Sequence, residues 1–189
     1  MQMPDKTQTN PNQTRMPSAV FIGFAGEDGD ITAEQRSALD ACLAERCGMP
    51  QPELSLPVPP GVVLCFDYPT RTLELVRRLG ASARSGDWRL PALRMGVHVA
   101  TVIHDAGASD TTMSAGSVDG AMRVARLAAP NQALATPSFQ ALVVQRLKIG
   151  TEHFRDLGRL TSKSGRSVAV FEIVPFSSRA RQSAPGTRS

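Results

Sequence analysis

The sequence predicts an α+β fold, a single sheet with helices packed on one or both faces. Three observations carry that prediction. Short apolar runs and amphipathic stripes succeed one another in the order βαββαβαβαβ. The strands are joined by both hairpin-length and crossover-length connections. With 189 residues, 41% hydrophobic and 20% charged, the chain suits one core of ordinary size rather than two.

Ala19 to Ala25 is a short apolar run ended by a Gly- and acid-rich turn, which reads as a strand buried on both faces. A helix follows: Thr32 and Gln35 have capping-box spacing, Ala38, Leu39, Cys42 and Leu43 form the apolar stripe, and Gly48 with Pro50 stops it. Leu54–Val58 and Gly61–Asp67 read as two strands joined at Pro57-Val58-Pro59-Pro60-Gly61, because a turn suits three residues that lack an amide donor. Pro69 suits the first turn of a second helix, with Leu73, Val76 and Leu79 on one face and an end near Gly80. Leu93 to Ile103 alternates as one long strand, and Asp105 to Ser117 reads as a loop. A third helix from Val118 to Pro130, a short strand at Gln132–Thr136, a short helix at Pro137–Leu147 and a closing strand at Ser167–Pro175 complete the order.

Both ends, residues 1–18 and 177–189, are rich in Pro, Ser, Thr, Asn, Gln and Arg, so they are expected to be disordered tails around a domain spanning 19–176. The net charge of +4 divides as +1 in the first tail, +3 in the second and zero between them. A neutral domain argues against a folded nucleic-acid groove, although the arginine tail could touch a phosphate or an acidic surface. No apolar run approaches the roughly 20 residues that span a bilayer, and the first residues carry neither a basic flank nor an apolar stretch, so a cytoplasmic location is expected. Cys42, Cys47 and Cys65 lie in apolar segments with neither zinc nor CxxC spacing and read as buried, reduced thiols.

Little in these residues alone points to chemistry. His98 and His104 on one strand would stand about 20 Å apart, too far to share a metal, and His98 reads as a hydrogen-bonded structural imidazole. Gly23 to Gly29 superficially resembles a phosphate-cradling loop, but Glu27, Asp28 and Asp30 would repel a bare pyrophosphate, and the spacing is neither G-x-G-x-x-G nor a P-loop.

A family resemblance adds more. Leu93-Arg94-Met95-Gly96-Val97-His98, Val124-Ala125-Arg126-Leu127, Gln132 to Thr136 with Ser138 and Leu142, Phe154-Arg155-Asp156-Leu157-Gly158 with Lys163, and Val168 to Ile173 together resemble the second half of a class III adenylate/guanylate cyclase domain. Val20–Ala25 and Val62–Phe66 with Asp67-Tyr68-Pro69-Thr70 resemble its first half more loosely. The resemblance covers about residues 19 to 175. It implies a ferredoxin-like fold with a central, mostly antiparallel sheet, two composite sites across a head-to-tail dimer, and cyclisation of a nucleoside triphosphate assisted by two divalent cations on two aspartates.

Position by position, much of that machinery is replaced. The first aspartate falls on Gly26 and the second in the Pro59-Pro60-Gly61 turn. Glu27, Asp28 and Asp30 lie close to the first position, and nothing replaces the second. The asparagine that orients ribose falls on Met122, whereas the arginine one helical turn on is present as Arg126. The base-selecting positions fall on Leu56 and Ala115, and Lys163 matches the lysine that meets the triphosphate from the last hairpin. The resemblance therefore implies no catalytic residue, no metal ligand and no cofactor. Arg126 and Lys163 are left as residual phosphate-binding positions, with a solvated helix charge as the alternative reading for Arg126. The expected role is a degenerate cyclase-homology module that forms a homodimer or pairs with a cyclase or signalling protein. Alternatives are a subunit that completes an active site with a partner supplying the aspartates, or a purine nucleotide sensor without turnover.

Overall fold

The computed structural model describes residues 16–25, 32–47, 51–84, 91–104 and 111–174. The first elements are β1 (Ser18–Phe24), α1 (Ala33–Cys47), β2 (Leu54–Val58), β3 (Gly61–Phe66), α2 (Pro69–Arg84) and β4 (Leu93–Val99). A small hairpin of β5 (Val102–His104) and β6 (Thr111–Met113) follows, then α3 (Ala115–Ala125), β7 (Gln132–Ala135), α4 (Pro137–Ala141), which continues as a π-helical turn to Arg146, β8 (Phe154–Thr161) and β9 (Ser167–Ile173). Seven strands form one sheet in the order β2-β3-β1-β4-β7-β9-β8, antiparallel throughout except between β4 and β7. The first four strands with α1 and α2 make the split βαβ unit of a ferredoxin-like fold.

Burial on both faces explains why β1 and β3 are continuous apolar runs. Val20, Ile22, Val62, Leu64 and Phe66 point to the face covered by α1, α2 and α4, where Leu39, Leu79 and Phe139 are buried. Ala19, Phe21, Val63 and Cys65 point to the other face, under Ala121 and Ala125 of α3. The start of α1 is capped as its sequence predicts: Thr32 N donates to Gln35 Oε1 at 2.7 Å and Gln35 N donates to Thr32 Oγ1 at 3.2 Å, an arrangement worth about 1 kcal/mol. Gly48 and Pro50, the expected stop, lie outside the described residues. Met16 and Pro17 are tied to the sheet through Met16 N to Asp67 O and Ala100 N to Pro17 O.

Several boundaries differ from the sequence reading, each for a local reason. The long strand expected from Leu93 to Ile103 breaks after Val99 because Ala100 N bonds to Pro17 O while Thr101 bonds to Ser114 N and Ser117 Oγ. The expected loop at 105–117 contains β6, paired to β5, and the start of α3, whose N-cap is Ser114. Helix α2 continues past Gly80 to Arg84, and α3 ends at Ala125 in a tighter turn made by Leu127 N to Val124 O and Ala128 N to Ala125 O. Strand β8 escapes period-two reading because a bulge between Asp156 and Arg159, with Gly158 at φ 67°, turns Phe154, Leu157 and Leu160 inward at every third residue.

Cys42 and Cys65 are free thiols, half-buried and buried respectively; the Cys47 side chain lies outside the described residues. Burial, assisted by the negative charges of Glu53 and Asp67, pushes the Cys65 thiol from its ordinary 9.0 up to about 12. The fold therefore favours the neutral thiol. This contribution to stability is fully present below pH 9.0 and is lost as the pH rises toward about 12. A thiol-reactive dye at pH 8 should leave Cys65 unlabelled in native protein and label it after unfolding in guanidinium.

Candidate functional site

The site begins where β1, β3 and β4 end side by side. Gly23 is opposite Gly61 on β3 and Arg94 on β4, so the end of β1, the β2–β3 turn and the start of β4 are one neighbourhood. The contact is close: a Cβ on Gly61 would lie 2.0 Å from Ile22 O, and one on Gly23 would lie 3.4 Å from Pro60 O. The β2–β3 turn, where the resemblance places the second metal-binding aspartate, thus lies beside Gly23 near the end of β1. Gly26, Glu27, Asp28 and Asp30 themselves lie outside the described residues.

Two divalent cations do not fit the described part. The Pro59-Pro60-Gly61 turn offers no side-chain oxygen, and among the described residues no group of three His, Cys, Asp or Glu is placed to hold a metal. Met122 and Leu56 are half-buried and pack with Phe21, Leu54, Val58 and Val118 into the apolar cluster beneath α3. Neither can hydrogen-bond a ribose or a purine edge, and Ala115 is an exposed first residue of α3.

Cations remain. Arg126 caps the C-terminus of α3, its backbone amide bonded to Met122 O at 3.0 Å, and its side chain is exposed. Lys163 is exposed in the β8–β9 turn, which is closed by Ser162 N to Arg166 O at 2.9 Å. Neither makes an ion pair among the described residues. Lys163 lies away from the β2–β3 turn within one chain. Because β9 runs antiparallel to β7, which is parallel to β4, the β8–β9 turn and the β2–β3 turn lie at opposite ends of the sheet.

A third cation, Arg94, emerges only in three dimensions. Along β4, His98 lies under Gly120 and Gly96 under Ala121 and Ala125. The same face two residues earlier carries Arg94, on the side of the sheet that α3 covers. Its Nε is buried and has no hydrogen-bond partner. The sequence shows Arg94 only as a charge on an alternating strand; the signal that singles it out is its position opposite Gly23, the next-to-last residue of β1.

Solved structures of this shape are known. The chain superposes on an adenylate/guanylate cyclase/hydrolase from Silicibacter pomeroyi with a TM-score of 0.56 at 19% identity, over 86% of this chain and 98% of that one. The chain has the class III nucleotidyl cyclase fold. The adenylyl cyclase CyaB from P. aeruginosa has the cyclase fold in the same arrangement, with a TM-score of 0.51 at 18% identity over 87% of this chain and 96% of that one. So does the non-canonical dimeric guanylyl cyclase domain of a fusion protein from the aquatic fungus Blastocladiella emersonii, with a TM-score of 0.54 at 10% identity over 85% and 97%. No protein-family model and no curated protein matches the sequence. No helix among the described residues is long and apolar enough to cross a membrane.

Proposed function

We propose that the chain is a catalytically degenerate cyclase-homology domain, spanning residues 19–176, that acts as a dimerising regulatory module in cytoplasmic signalling. The observation that carries this reading is the composition of the β2–β3 turn. Where a cyclase needs a carboxylate facing the end of β1, this chain has Pro59-Pro60-Gly61, and Met122 adds a thioether where a ribose-orienting amide would stand. Without two anchored cations, nothing neutralises the charge that develops on the triphosphate during ring closure. The dimeric state of the fungal guanylyl cyclase domain supports the pairing half of the proposal.

Purified protein incubated with ATP or GTP and manganese should form no cyclic nucleotide; product from the isolated chain overturns the proposal. Light scattering should give a dimer mass, and a strict monomer at high concentration counts against pairing with itself.

A second reading rests on the exposed Arg126 and Lys163. If this chain lends them to a partner that supplies both aspartates, product appears only when it is mixed with an intact cyclase, and R126A removes the gain. A third, a purine nucleotide sensor without turnover, is favoured by the unpartnered Nε of Arg94. It requires saturable heat in titration calorimetry with nucleotide.

A further inference from the structure

His98 joins three elements. Its ring lies under α3 where Gly120 leaves no room: a Cβ there would come within 2.5 Å of His98 Cδ2. Its Nδ1 is 3.0 Å from Thr136 Oγ1 and 3.5 Å from Ser138 Oγ. Thr136 is the N-cap of α4, with Oγ1 accepting from Phe139 N at 3.4 Å and lying 3.0 Å from Ser138 Oγ. A single imidazole on β4 thus bears both on the seat of α3 and on the start of α4.

We propose that His98 is a proton-operated latch: neutral, it holds α3 against the sheet and accepts from Thr136, and on protonation it loosens α3 and reverses the hydroxyl chain at the α4 cap.

The charges around it set the direction. In the sheet, β1 and β7 contain no ionisable side chain, and neither does the first turn of α4. Helix α3 contributes Arg123, ion-paired with Asp119. On its own strand, Arg94 is the other charged residue, four positions away. Burial first and the Arg123 charge second hold His98 below the ordinary 6.5. With Nε2 carrying the proton, Nδ1 is an acceptor and Thr136 donates to it. A second proton makes Nδ1 a donor, so Thr136 must turn its hydrogen toward Ser138, and it adds a positive charge, repelled by Arg123, to a ring packed against Gly120. Since the folded state disfavours protonation, the stabilisation is fully present above pH 6.5 and is lost as pH falls below it toward the depressed value.

The test uses the intact protein and nuclear magnetic resonance. The His98 ring should titrate below 6.5. Over the same pH interval the α3 amides from Ala121 to Ala125, corrected for intrinsic exchange, should lose protection while β1 amides keep theirs. H98Q should remove this pH dependence. R123Q, at an exposed position, should shift the titration upward and keeps the test open should H98Q fold poorly. A ring that titrates at or above 6.5, protection of α3 that does not change with pH, or an unshifted R123Q midpoint overturns the latch.

Discussion

Replacing Gly96 by alanine should lower the stability of the domain by about 3 kcal/mol, the upper end of the usual overpacking cost. The position has no slack. A Cβ built there lies 2.1 Å from Ala121 O and 2.4 Å from Ala125 N, both backbone atoms of α3, so relief cannot come from a rotamer change. The helix must lift off the sheet, and the apolar cluster of Ala19, Phe21, Val63 and Cys65 beneath it would open. For a chain of this size the loss corresponds to a fall in Tm of about 6–12 °C. Gly116→Ala on the same helix is the control. A Cβ there meets nothing within 4 Å, so Tm should hold or rise, by at most about 1 kcal/mol of helix propensity. Equal losses from both substitutions would contradict the close seating of α3.

Phe139→Ala should be at least as costly, about 3–5 kcal/mol. Phe139 is fully buried in the core between α4 and the sheet and meets Phe154 edge to face, with ring centroids 6.5 Å apart and planes at 69°. Its removal leaves a cavity at the point where α4 and β8 meet the core shared with α2. In guanidinium, the unfolding midpoint should fall with an unchanged slope, because the change lies in the native core rather than in the unfolded chain. Phe139→Leu, which refills most of the volume, should recover more than half of the loss.

How far these features were legible in the sequence follows from what each depends on. The capping box before α1, the run of β1 and the alternation of β4 are local patterns, and the first two fold as read. The break in β4 is not local: it is made by Pro17 from one side and by Ser114 and Ser117 from the other. The bulge that hides β8 comes from one glycine in a left-handed conformation, which erases the period-two signal. At the candidate site, the residues that fill the aligned positions are visible in the sequence once the family resemblance is drawn. The opposition of Gly23, Gly61 and Arg94, and the separation of Lys163 from the β2–β3 turn, require the register of the assembled sheet.

The two outermost strands of the sheet are β2 and β8. On one side, β2 carries Pro57, which has no amide to offer a newcomer. On the other, β8 is kinked by its bulge and lined by exposed Arg155, Asp156 and Arg159. Each border thus carries a feature that works against templating another strand, and so against edge-to-edge growth into fibrils.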